Sequence, residues 1–409
     1  MKKLCVIFFM ILIIPSYANI IYRGPYLQMG NSNSMSIMWQ TITNIEGVVE
    51  YGLTTNYNHS VTTTNSIIHS VELINLNPST KYYYKVSSGP ENIKSSFTTF
   101  PDDDSPVSFA LVGDTRNSFS NDAEYIHIRN STMSEWLASN DPLFMLNDGD
   151  IVFAANPLTN KVWTEMFEDF QTIIKQSPFY FATGNHDLNL YSGAICEGYY
   201  DNFKFPTNGP TYKRIYSFDC GNVHITVGEI DNAVTVSNES YYCPGSPQFI
   251  WITNDLAQTK QPWKIVMTHC PALSSGEYYG TWGCKNEQST NLLRYYVPEF
   301  EKYNVNLHVA GHEHFYERCY KNETTYLTIS TWDDSYPYIF TNFPYSIVQK
   351  PYGFALCAIT NEFMYVSIVD EYTNGLIDSF VITNISIPES SCLLFIIFQF
   401  LLINYWRKS

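Results

Sequence analysis

The chain has 409 residues, more than one hydrophobic core usually serves, so two domains are the default reading. Hydrophobic residues at 45% and charged residues at 15% exclude a disordered chain. A formal net charge of −16 argues against general electrostatic binding to nucleic acid, and any phosphate bound here needs local positive charge such as metal ions.

Lys2 and Lys3 precede an apolar run over residues 4–14, and Ser16-Tyr17-Ala18 offers a small-x-small cleavage site. This predicts a signal peptide over residues 1–18 and a secretory route to the cell exterior, the cell surface or the lysosomal lumen. Glycosylation sequons begin at Asn58, Asn130, Asn238, Asn322 and Asn384, in keeping with that route. Apart from Cys5 in the leader and Cys392 near the end, the cysteines are Cys196, Cys220, Cys243, Cys270, Cys284, Cys319 and Cys357. In an oxidising compartment some of this odd set are expected to pair as disulfides, in a pattern the spacing does not fix.

Residues 19–101 read as short strands between turn residues, with stretches 34–40, 48–51 and 80–86 as the clearest. Leu76, Pro78, Thr80, Tyr82 and Tyr84 have the spacing of a tyrosine corner, which predicts a β-sandwich of fibronectin type III character. A polar linker bracketed by Pro101 and Pro106 closes it. From residue 106 to 386 strands and helices alternate. Strands are predicted over 106–112, 142–146, 178–183, 263–268 and 305–310, with helices over 121–139 and 245–257 and a strand-rich closing stretch. That alternation predicts an α/β sandwich. Residues 390–406 are apolar and followed by Arg407-Lys408. They give ~25 Å of helix, which fits a single membrane span, a lipid-anchor signal or a packed terminal element.

Each of the five α/β strands is followed by a metal-ligand residue type. The order is Gly113-Asp114, Gly149-Asp150, Gly184-Asn185-His186-Asp187, His269, and Gly311-His312-Glu313-His314. Strand ends of α/β sheets form the ligand crevice, so these loops are expected to converge. Two carboxylates, an amide oxygen and three imidazoles suit iron, zinc or manganese. Six donors exceed what one ion needs, so two ions sharing a bridging carboxylate are expected, about 3.5–4 Å apart.

These five motifs, with the run from Gly311 to Arg318 and the upstream sandwich, resemble the purple acid phosphatases of the metallophosphoesterase superfamily. The likeness extends over roughly residues 22–383. The resemblance implies a four-layer α/β/β/α catalytic domain and hydrolysis of phosphate monoesters by a hydroxide held at two metals. It implies that Asp114, Asp150 and His314 bind the first metal, with Asp150 bridging, and that Asn185, His269 and His312 bind the second. His186 matches the residue that steadies the transferring phosphoryl group or protonates the leaving oxygen. Members of the family owe their colour to a tyrosine phenolate on ferric iron, and that position is Phe153 here. Plant members carry a His-His pair where this chain has Tyr278 and Tyr279, which can still hydrogen-bond phosphate. Arg116 either reaches the substrate phosphate as a bidentate donor or solvates the rim. Glu317 and Arg318 are expected to form a structural ion pair. The partner expected is a small phosphate ester; a phosphodiesterase or nucleotide-hydrolysing ectoenzyme, or a surface binding protein keeping the fold, are the rival readings.

Overall fold

The structure is a computed structural model describing residues 19–116, 123–153, 161–187, 195–196, 198–229, 243–276, 292–331, 344–350, 352–370 and 373–384. Residues 1–18, Asn238, Cys284, Tyr278, Tyr279 and residues 390–406, for which expectations were stated, lie outside these. Among the described residues no helix is long and apolar enough to cross a membrane.

The first seven strands are β1 (Ile21–Gln28), β2 (Met35–Ile45), β3 (Gly47–Gly52), β4 (His59–Thr62), β5 (Ser66–Leu73), β6 (Lys81–Ser88) and β7 (Glu91–Thr98). They form a three-stranded sheet, β1-β2-β5, facing a four-stranded sheet, β4-β3-β6-β7. Alternation decides which side chains enter: along β6, Tyr82, Tyr84 and Val86 are buried while their neighbours are not. They pack on Trp39, Leu27 and Ile37 from the facing sheet. The tyrosine corner forms as expected, the N–H of Asn77 donating to the Tyr82 hydroxyl at 3.0 Å.

The remainder is built on two sheets. One contains β8 (Val107–Val112), β9 (Phe144–Asn147) and β10 (Phe179–Phe181), joined later by β18 (Phe354–Ile359), β19 (Phe363–Val369) and β20 (Leu376–Thr383). The other contains β11 (Tyr216–Cys220), β12 (Val223–Val227), β13 (Trp263–Met267), β14 (Leu307–Ala310), β15 (Tyr316–Lys321), β16 (Thr324–Thr328) and β17 (Ser346–Lys350). Their orders are β10-β9-β8-β18-β19-β20 and β11-β12-β13-β14-β16-β15-β17. Pairing is parallel where ligand loops leave, at β8-β9-β10 and at β12-β13-β14-β16. Strands β9 and β14 are buried at every position, Asn147 and His308 included, and one continuous core fills the space between the sheets. Helices α1 (Ala123–Ser139) and α2 (Lys161–Ile174) cover the first sheet with Met133, Leu137, Phe167 and Phe170. Helices α3 (Tyr199–Asn202), α4 (Pro247–Gln258) and α5 (Val297–Lys302) follow, and α4 and α5 cover the second sheet with Ile252, Leu256, Val297 and Phe300. Four layers result, as the resemblance implied.

The sandwich is fastened to the catalytic layers by buried polar contacts. Arg23 donates to Gln40 Oε1 at 3.1 Å and to Thr164 Oγ1 at 3.2 Å. The Tyr26 hydroxyl donates to the carbonyl of Asn202 at 2.6 Å, and Gln28 Nε2 to that of Phe179 at 2.7 Å. Removing one partner from such a contact leaves a buried group unsatisfied, at a cost of about 1–3 kcal/mol.

Three expectations change. Asn130 is buried in α1 and its amide donates to the Thr115 carbonyl and to Asp169, so the folded chain does not present that sequon, whereas Asn58 and Asn322 are exposed. Cys220, Cys319 and Cys357 are buried thiols and, with Cys243, form no disulfide. Glu317 and Arg318 alternate along β15 and part company. Glu317 accepts from the Ser275 N–H at 2.8 Å and from the hydroxyls of Ser274 and Ser275, whereas Arg318 donates to Asp378 at 2.9 Å.

Candidate metal centre

The ligand loops leave β8, β9 and β10 of one sheet and β13 and β14 of the other, all at carboxyl ends. Backbone bonds tie them together: Asp114 N–H donates to the Gly149 carbonyl at 3.1 Å, and Arg116 N–H to that of Asp150 at 2.9 Å. Three of the predicted ligands, Asp114, Asp150 and His312, hold positive φ of 48°, 51° and 68°. Non-glycine residues pay roughly 1–3 kcal/mol for sparsely populated backbone regions, a strain typical of functional sites. The glycines permit close approach. A Cβ on Gly149 (φ 118°) would lie 2.7 Å from His269 Nδ1, and one on Gly184 2.3 Å from Asp150 Oδ1.

The structure brings all six predicted ligands together, in two clusters. In the first, His269 Nε2 lies 3.2 Å from Asn185 Oδ1 and 3.4 Å from Asp150 Oδ1, while His312 Nδ1 lies 2.9 Å from Asn185 Oδ1 and 3.2 Å from His269 Nε2. His269 Nδ1 is 3.1 Å from the carbonyl of Asp148 and donates to it, which leaves Nε2 as a lone pair facing the cluster. Four acceptor atoms thus converge with at most one proton among them, the arrangement a cation satisfies. In the second, His314 Nε2 stands 3.9 Å from Asp114 Oδ1, an oxygen with no hydrogen-bond partner among the described residues. Asp114, Asp150 and His269 are fully buried with ligand atoms mutually within 4.8 Å. One guanidinium, paired with Asp150, stands against two buried carboxylates, and buried negative charge left uncompensated is costly, so these donors fit metal ions.

The electrostatics agree. Burial alone would push the Asp150 carboxyl up, but His269 and Arg116 outweigh it and hold it well below the usual carboxylate range. Asp114, more desolvated than compensated, is pushed up. Burial pulls the His186 imidazole down to about 4 against the opposing pull of Asp150. The His186 ring stacks on Phe153, centroids 4.6 Å apart, and the backbone N–H of His186 donates to Asp150 Oδ1 at 2.7 Å.

Arg116 is not at the rim. It is buried, its Nη1 is ion-paired with Asp150 Oδ2, and its Nη2 lies 3.4 Å from His314 Nε2. Two further residues escaped sequence reasoning. Asp187 accepts from the N–H groups of Ile151, Val152 and Gly184 at 2.8–3.0 Å and so fixes two ligand loops against each other; its place directly after His186 was the available signal. Asp148 is fully buried between Gly113 and Gly311, neither carboxylate oxygen has a hydrogen-bond partner among the described residues, and burial followed by Asp114 pushes it well above the carboxylate range. Nothing in its spacing set it apart from Asp150. The other five histidines have partners away from the clusters: His59 stacks on Tyr51, His69 stacks on Trp39, His127 pairs with Asp169, His224 is held by Asp219 and Asp255, and His308 lies against Thr268.

Comparison with known proteins gives the family and the fold. The description "Calcineurin-like phosphoesterase" matches residues 107–316, just over half of the chain. The chain belongs to that family. Residues 23–108 match "Purple acid Phosphatase, N-terminal domain", placing it with the purple acid phosphatases inside the family. Among relatives, it is 26% identical over 314 residues to "Probable purple acid phosphatase 20" of Arabidopsis thaliana, covering 72% of this chain and 68% of that protein. It is 28% identical over 266 residues to the purple acid phosphatase of Glycine max, covering 61% and 52%. The chain thus spans between half and about two thirds of these relatives' length. A purple acid phosphatase from yellow lupin (Lupinus luteus) seeds superposes with a TM-score of 0.70 at 20% identity, over 89% of this chain and 74% of that one, which shows the shared fold.

Proposed function

We propose that this purple acid phosphatase-like metallophosphoesterase hydrolyses phosphate monoesters at a centre of two metal ions. The carrying observation is the convergence of Asn185 Oδ1, His269 Nε2, His312 Nδ1 and Asp150 Oδ1 at 2.9–3.4 Å beside the separate pair of Asp114 and His314. Asn185, His269 and His312 would hold one ion and Asp114 and His314 the other, with Asp150, whose Oδ1 lies 3.4 Å from His269 Nε2 and whose Oδ2 is paired with Arg116, shared between them. When bound, the ions supply Lewis acidity for the phosphoryl oxygens and for water.

The chain's own residues do the rest. Asp148 fixes the His269 tautomer through its carbonyl, and Asp187 holds the two loops in register. The Phe153 ring supports the His186 imidazole, which would contact the transferring phosphoryl group or give a proton to the leaving oxygen. No tyrosine oxygen is available at position 153, so the first ion relies on three protein ligands and the pair is expected to be divalent and colourless. Turnover on nitrophenyl phosphate and on bis(nitrophenyl) phosphate tests the substrate class. The monoester should be hydrolysed at least tenfold faster; faster cleavage of the diester contradicts the reading.

A further inference from the structure

The donors assigned to the two ions differ in what already touches them. Asp150 Oδ2 and His314 Nε2, two of the three first-ion donors, are spanned by one guanidinium: Nη1 of Arg116 is paired with the carboxylate and Nη2 is 3.4 Å from the imidazole nitrogen. The placement is built in. Arg116 is buried, its backbone N–H is tied to the Asp150 carbonyl at 2.9 Å, and its guanidinium lies 5.9 Å from the centroid of the Phe153 ring.

We infer that Arg116 is a resident counter-cation of the first metal site, which a divalent ion must displace from Asp150 and His314 before it can bind there. The inference rests on the two-ion reading and deepens it. Two positive charges cannot share one buried carboxylate oxygen without strong repulsion, so the first ion binds more weakly than the second and loading is sequential. Once displaced, the guanidinium remains beside the centre on a flexible stem and offers a two-pronged donor to a phosphate. The arginine therefore alternates between neutralising Asp150 and neutralising substrate.

Equilibrium dialysis of the chelator-stripped full chain against Mn²⁺ alone tests this without any substrate. The wild type should bind two ions with dissociation constants at least tenfold apart. Arg116→Met, which keeps bulk and removes charge, should tighten the weaker constant at least tenfold. Arg116→Lys, which keeps the charge, should leave it within about threefold of the wild type. Two wild-type ions of equal affinity, or a weaker constant that Arg116→Met leaves unchanged or loosens, would overturn the inference while leaving the two-ion reading intact. Binding of no ion would overturn both. Should Arg116→Met fail to fold, the separation of the two wild-type constants and the Arg116→Gln variant decide the matter.

Discussion

The two halves of the metal centre are built from similar residue types and yet differ in how finished they are. Around His269, Asn185 and His312 the donor atoms point at one another at 2.9–3.4 Å with one tautomer fixed by a backbone carbonyl. Around Asp114 and His314 the donors are 3.9 Å apart, and Arg116 lies across His314 and Asp150. Both halves sit on strained loops at parallel strand ends, so the fold does not explain the contrast; side-chain identity does. A phenylalanine at 153 and an arginine at 116 convert a site that could be preformed into one that must be opened. Preorganisation is thus a property of each ion's immediate neighbours and not of the scaffold alone.

The largest effect is expected where the halves meet. Asp150→Asn removes the anion from both clusters, and turnover should fall at least a hundredfold, about 2.7 kcal/mol of barrier. Metal content measured on the same sample should fall with it; near-normal turnover with full metal content would mean that Asp150 does not bridge. The halves can then be separated. His312→Ala should abolish retention of the tighter ion, whereas His314→Ala should keep that ion and lose the weaker one. Both are read by elemental analysis after dialysis, and identical losses in the two variants would erase the contrast.

A smaller effect belongs to His186, which sits between the halves and binds no metal in this account. His186→Ala should keep both ions and lower turnover on alkyl phosphates by about 100-fold, the lower end of the range of general acid–base assistance. The loss should shrink on nitrophenyl phosphate, whose leaving group needs no proton; equal losses would remove the acid role. Phe153→Tyr sharpens the first half without a large change in rate. Loaded with ferric iron, it should gain a visible absorption band that the wild type lacks, and a coloured wild type would mean that another residue supplies a phenolate.

Much of this was legible in the sequence, and for a physical reason. A parallel α/β sheet gathers the residues that follow its strands, so the order from Asp114 to His314 carried both the fold and the six donors. The tyrosine corner at Tyr82 was legible because its spacing is local. The rest depended on where a side chain turns after the backbone is placed. Arg116 reads as either a phosphate donor or a rim residue until the contact with Asp150 is seen, and Glu317-Arg318 reads as a pair until the strand's alternation sends the two apart. Asn130 reads as a sequon until α1 buries it against Asp169, and Asp148 is indistinguishable from a ligand by spacing alone. The β11–β12 hairpin and α2 were not predicted because neither ends in a chemically distinctive residue, although Trp163, Met166, Phe167, Phe170 and Ile174 recur along α2 at helical spacing.

The account is tested most directly by anomalous diffraction from crystals of the full chain grown with one equivalent of Zn²⁺. The strongest zinc peak should lie within ~2.2 Å of His269 Nε2, His312 Nδ1 and an oxygen of Asn185, with a weaker peak or none between Asp114 and His314. A stronger peak on the Asp114 and His314 side, or no zinc at the His269 cluster, would contradict it.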